Sequence, residues 1–277
     1  LAYYAYHMET MRLSKPYQLS EPEEKVILQK DVTGRNAWTR FFSQMTSSMR
    51  YELDGEDVTQ TQALSQLHSP DRDLRRRAAD AMTAGLKSRA MELTYIFNVL
   101  AADKATSDAM RSYPTWITSR NISNRAPDTV VEALIEAVTS RYDLVERHYN
   151  LKRILLGLDE LTDYDRYAPL PVNDVDDQYS WDTAREIVLS AFDAFHPDMA
   201  DVARKFFDNN WIHAAQQPNK RGGAYASPMS PSVNPFVFLN YDGKARDIAT
   251  LAHELGHGIH MYLSGREKVL FALYTPL

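Results

Sequence analysis

Along most of this 277-residue chain apolar side chains recur every three or four positions, and only 10 residues are glycine. Such spacing lines one stripe of an α-helix, whereas a half-buried strand alternates every second residue. Glycine usually makes up roughly 7% of a soluble domain, so the scarcity removes many of the places where a sheet-rich chain would turn. The pattern therefore predicts a mainly α fold.

Helix starts can be read individually. Ser20-Glu21-Pro22-Glu23 has the reciprocal capping pattern, with proline in the first turn where its missing N–H is harmless, and predicts a helix through Lys30. Ser69-Pro70-Asp71 predicts a second start, followed by a stripe of Met82, Leu86, Leu93, Phe97 and Leu100 on one long helix running past Ala102. A third helix is expected from Asp128 to about Leu156, closed by Gly157, with shorter ones over about 181–195 and 198–209.

The period changes only near the end. Residues 218–232 carry two glycines and three prolines and read as loop, after which 234–241 reads as a short strand with Pro235 suited to an edge. Asp242-Gly243 then turns the chain into a last helix whose apolar set is Ile248, Leu251, Ala252, Leu255, Ile259 and Leu263, with Gly265 as its stop.

That helix contains His253-Glu254-Leu255-Gly256-His257. Residues four apart stack one turn up the same face, so both imidazoles can reach one ion at about 2.0 to 2.1 Å. Glu254 lies about 100° round from His253, beside the ligand stripe, where its carboxylate can act as general base on a zinc-activated water. His260 lies on the same stripe but about 10 Å along the axis from His253, too far to share one tetrahedral ion. Glu267 is the only acid after His257, and it falls too near in sequence to fold back as a third ligand.

Composition limits the alternatives. There is no cysteine, which excludes disulfides, thiolate metal sites and a thiol nucleophile and suits a reducing cytoplasm. With 31 basic and 37 acidic side chains the net charge is −6, which offers no general footprint for nucleic acid or an anionic membrane surface. No segment is long and apolar enough to span a bilayer. Arg75, Arg76 and Arg77 read as a solvated face, and Trp116, Trp181 and Trp211 as core side chains. Asp174 to Asp177 lacks the glycine and closing glutamate of a calcium loop.

AHELGHGIH, the preceding NPFVFLNYDGKARDIATL, the KRGGAYA loop, and upstream SEPEEKVILQKDVTGRNAW, YIFNVLAADK, TSRNISN and DYDRYAPLP occur in one order along the chain. Together they resemble oligoendopeptidase F, a bacterial zinc metallopeptidase family related to thimet oligopeptidase. The resemblance implies a helical two-lobed fold with a deep channel that admits short unfolded peptides. It implies one zinc ion on His253 and His257 with Glu254 as general base. It also implies substrate pairing by strand addition over about Val233 to Leu239, with backbone contacts at Gly223, Ala224, Val237 and Phe238. The family's third ligand, a glutamate roughly two dozen residues beyond the second histidine, would fall past Leu277.

The expected division is residues 1–215 as a helical region forming channel wall and 216–277 as the start of the catalytic region. Since the chain opens at Leu1 and stops inside FALYTPL, the expectation is a fragment that alone holds zinc weakly and turns over poorly. The rival reading is a non-catalytic helical peptide-binding or scaffold protein with a degenerate metal site.

Overall fold

The computed structural model describes residues 5–170, 178–230 and 233–266. It divides into two compact units, one built from the described residues through 170 and the other from those at 178 onward. The division does not follow the expected boundary at 215, because two helices before that point pack on the last described helix.

The first unit is nearly all helix: α1 (Ala5–Ser14), α2 (Glu21–Asp31), α3 (Arg35–Ser48), α4 (Gln60–Gln66), α5 (Arg72–Ser88), α6 (Ala90–Met110), α7 (Thr118–Asn124), α8 (Asp128–Thr139) and α9 (Tyr142–Leu155). The capping box at Ser20 and Glu23 forms as the sequence predicts. Two long helices do not. The stretch after Asp71 breaks at Arg89, and the stretch after Asp128 breaks at Ser140–Arg141. Both breaks set an arginine near φ −117° and ψ +20°, at φ −116°, ψ 16° and φ −118°, ψ 23°, which ends the helical ladder without glycine or proline. The Phe97 side chain of the expected buried stripe is 72% exposed, and Trp116 is exposed as well.

Between α3 and α4 lies a hairpin, β1 (Tyr51–Leu53) and β2 (Glu56–Val58), turned by Asp54-Gly55 with φ of 55° and 86°. Positive φ at both central residues is the turn that Asp-Gly favours. Tyr51 is buried against α5, where a Cβ on Gly85 would lie 2.6 Å from the Tyr51 ring.

The arginine run of α5 is not simply a solvated face. Arg75 is 3% exposed and donates to Asp165, which is fully buried. Arg72 donates to both Asp165 oxygens, and Thr162 donates from its backbone and hydroxyl. Burial would raise the Asp165 pKa, but these donors outweigh it and hold the carboxyl well below the usual range. Arg76 and Arg77 stay on the surface.

The second unit has α10 (Trp181–Phe195), α11 (Pro197–Asp208), a small sheet of β3 (Ile212–His213), β4 (Tyr225–Ser227) and β5 (Phe236–Phe238), and α12 (Ala245–Arg266). Ser180 caps α10 through the Thr183 N–H, and proline opens α11. Its core joins Val188, Phe206, Val237, Leu239, Leu251 and Leu255 from both helices, the sheet and α12, with Trp181 and Trp211 packed against it. Gly265 lies inside α12 rather than ending it, and Leu263 is exposed. The calcium-like run at 174–177 and Glu267 lie outside the described residues.

Candidate metal centre

The start of α12 is pinned before the chemistry begins. The Asp247 carboxylate accepts from the N–H groups of Asp242 and Lys244, satisfying donors ahead of the first turn. The Gly243 carbonyl accepts from Tyr179 N–H, and Tyr241 Oη donates to the Tyr179 carbonyl. One face of α12 then buries Ile248, Leu251, Leu255, Gly258 and Ile259 against the core.

The His253 and His257 rings meet edge to face on consecutive turns, with their Nε2 atoms 3.2 Å apart. Two ligand atoms about 2.05 Å from a tetrahedral ion stand about 3.3 Å apart, so the spacing suits zinc as well as it suits an N–H···N bond. His253 is exposed and His257 half-buried, whereas Glu254 is 8% exposed and makes no hydrogen bond to any described residue. His260 points to Ser264 Oγ at 3.5 Å and does not join the pair. Among the described residues no group of three metal-ligating side chains converges, so the chain's histidines fit two zinc positions and leave the third ligand to be supplied.

The sheet next to α12 corrects the expected substrate edge. β5 is the central strand, parallel to β3 on one side and antiparallel to β4 on the other. Val237 N–H donates to the Trp211 carbonyl and Leu239 N–H to the His213 carbonyl, so these residues face β3. Backbone groups alternate sides along a strand, so Phe236 and Phe238 face β4. The backbone of Val237 and Phe238 is therefore occupied within the sheet and cannot pair with a peptide. The same alternation fixes β4. Its residues Tyr225 and Ser227 are in register with Phe238 and Phe236, which leaves the N–H and C=O of Ala226 directed away from β5. Gly223, at φ 89°, and Ala224 lead into β4, on whose far side no strand pairs among the described residues. Sequence reasoning missed β3 and β4 because two and three residues are too short to show a period.

Residues 65–275 match the profile of peptidase family M3, and residues 1–51 match that of oligopeptidase F. The chain is 26% identical to oligopeptidase PepF of Bacillus subtilis over 97% of its own length and 41% of the relative's. It is 28% identical to group B oligopeptidase PepB of Streptococcus agalactiae over 93% of its own length and 43% of the relative's. It thus spans about four-tenths of these relatives. Among solved structures it is similar to a Bacillus anthracis protein assigned as an oligoendopeptidase F, with a TM-score of 0.82 and 19% identity over 96% of this chain and 48% of that one. PZ peptidase A solved with an inhibitor gives a TM-score of 0.80 and 19% identity over 92% of this chain and 45% of that one. Among the described residues no helix is long and apolar enough to cross a membrane.

Proposed function

The chain belongs to peptidase family M3, and from that premise we propose that it is the zinc-holding part of an endopeptidase acting on short, unfolded oligopeptides in the cytoplasm. The observation that carries this reading is the 3.2 Å approach of the His253 and His257 Nε2 atoms on the helix that also buries Glu254.

Zinc, when bound, supplies polarisation of the scissile carbonyl and lowers the pKa of water toward about 7. The chain's own residues do the rest. His253 and His257 bring their Nε2 atoms within 3.2 Å of each other, where both would hold the one ion. Glu254, adjacent to His253, takes a proton from the attacking water and passes it to the departing amine. Zinc needs a third protein ligand, and among the described residues none converges on the pair; two imidazoles by themselves hold zinc weakly.

The peptide adds as a strand beside β4, pairing with the N–H and C=O of Ala226, while Gly223 and Ala224 allow its backbone close approach. The catalytic part is then the whole of the second unit rather than residues 216–277 alone, since α10 and α11 complete the core on which α12 rests.

The rival reading, a peptide-binding scaffold without chemistry, draws on the absence of a third ligand among the described residues. Hydrolysis of quenched fluorescent peptides separates the two. Cleavage that a chelator abolishes and added zinc restores supports the enzyme. A protein that binds both zinc and peptides, yet cuts none of a diverse set, supports the scaffold. The assay should be run on residues 1–277 and on the longest product the gene encodes.

A further inference from the structure

Three candidates outside the metal pair stand out in the second unit and beyond it. The Arg72–Arg75–Asp165 cluster is saturated by its own partners. The groove between α2, α3 and α6, lined by Lys30, Arg35, Asp103 and Lys104, holds nothing that identifies an occupant. The third candidate is Lys220, whose charge is placed where no anion needs it.

Lys220 Nζ donates to three main-chain carbonyls: Ala215 at 2.7 Å, Leu239 at 2.6 Å and His213 at 3.2 Å. It also stands 4.5 Å from the centre of the Phe238 ring. Three donors on a tetrahedral ammonium match three converging acceptors, and bonds from a charged donor are shorter and stronger than neutral ones. Burial lowers the Lys220 pKa, and the hydrogen-bond acceptors of its Nζ are main-chain carbonyls. The ammonium therefore serves main-chain geometry. It joins His213 at the end of β3, Ala215 two residues further on, and Leu239 just after β5, so the chain leaving β3 is tied to the chain leaving β5 before it enters β4. Asn240, the next residue after Leu239, continues the clamp: its Nδ2 donates to the Arg221 and Gly223 carbonyls, each at 3.0 Å.

β4 has three residues and, among the described residues, pairs on one side only, with Ala226 packed in the core and Tyr225 stacked on Phe238. We propose that Lys220, assisted by Asn240, is a positioning residue for substrate: it sets the register and height of β4 so that the Ala226 N–H and C=O are presented to an incoming peptide strand. This rests on the strand-addition reading above. Substitution of Lys220 should loosen β4 and weaken peptide binding while leaving the metal pair on α12 alone, since none of the three carbonyls belongs to α12.

The test uses the chain with Lys220→Met, Lys220→Cys and Asn240→Ala, a fluorescein-labelled unstructured nonapeptide, and cobalt(II) as the metal probe. The expected result for Lys220→Met is a tenfold or greater loss of peptide affinity and faster amide exchange over 224–227, with cobalt affinity unchanged within twofold. Because the chain has no cysteine of its own, Lys220→Cys supplies a single thiol, and aminoethylation of it rebuilds an ammonium at that position. Recovery of peptide affinity on aminoethylation, without recovery on blocking with a neutral reagent, supports the proposal. Peptide affinity unchanged in Lys220→Met overturns it, even if amide exchange rises, because the clamp would then be structural only. If the wild-type chain binds cobalt but no peptide, the strand-addition reading falls together with this one.

Discussion

Gly256 and Gly258 lie two residues apart on α12 and meet opposite surroundings. A Cβ at Gly256 would have no neighbour within 4 Å, whereas one at Gly258 would lie 2.8 Å from Phe206 Cε1 and 3.3 Å from Val237 Cγ2. Gly258 is thus where the metal helix closes onto α11 and β5. Replacement of Gly258 by alanine forces two ring and strand positions apart, a cost of about 1 to 3 kcal/mol that outweighs the roughly 1 kcal/mol helix preference of alanine over glycine. Gly256→Ala keeps only the preference and should stabilise by up to about 1 kcal/mol. Thermal or urea unfolding of the two variants should shift in opposite directions; equal shifts would contradict this packing.

Removal of Asp165 leaves the buried Arg75 guanidinium without its carboxylate. Breaking a buried pair by deleting one partner typically costs about 3 to 5 kcal/mol, so Asp165→Ala should destabilise the first unit by that order, measured by urea unfolding. A cost below about 1 kcal/mol would return the cluster to the status of surface charges.

Acid should weaken the same unit. The Glu24 carboxylate is lowered to about 2, chiefly by the Arg111 side chain with help from the Leu19 N–H, and Asp165 is held low as described. A depressed carboxylate contributes stability above its unfolded pKa of about 4 and loses it as pH falls through the folded value. Stability should therefore be level from about pH 7 to 5 and fall toward pH 2. Arg111→Met should narrow its deficit over that fall, by less than about 1 kcal/mol because the pair is partly exposed. A deficit that stays constant down to pH 2 would exclude Glu24 as its source.

Either histidine is needed for metal. His253→Ala and His257→Ala should each weaken cobalt or zinc binding by on the order of 100-fold, read by titration, with helix content unchanged. His260→Ala should leave affinity within about twofold, since its ring is turned to Ser264. Equal losses from all three would mean that the ion sits elsewhere on the face.

Peptides N-methylated at single positions test the open edge of β4. Because an added strand pairs through alternate residues, binding should fail with a period of two. Loss at every position, or at none, would rule out pairing with Ala226.

Much of the second unit was legible because its signals are local: the helices over about 181–195 and 198–209 and the α12 stripe from Ile248 to Ile259 needed no tertiary information, although Leu263 of that stripe is exposed. The helix breaks at Arg89 and Ser140–Arg141 were not, since residues of good helix propensity adopt a bridge conformation there and no glycine or proline marks it. Asp54-Gly55 between Tyr51–Leu53 and Glu56–Val58 was a readable hairpin signal that helical periodicity masked. The approach of the His253 and His257 rings followed from four-residue spacing alone. The central place of β5 was not legible, because it depends on pairing with β3 and β4, strands of two and three residues from elsewhere in the sequence.

In the proposed function Glu254 moves the proton in peptide hydrolysis at a His253–His257 metal site. The most direct measurement is kcat/KM for one quenched peptide with zinc-loaded wild type and Glu254→Gln, measured on residues 1–277 and on the longest encoded product. Loss of a general base should lower turnover by about 10²- to 10⁴-fold while zinc stoichiometry and peptide affinity hold. A Glu254→Gln protein that binds zinc and cleaves at the wild-type rate would contradict the account.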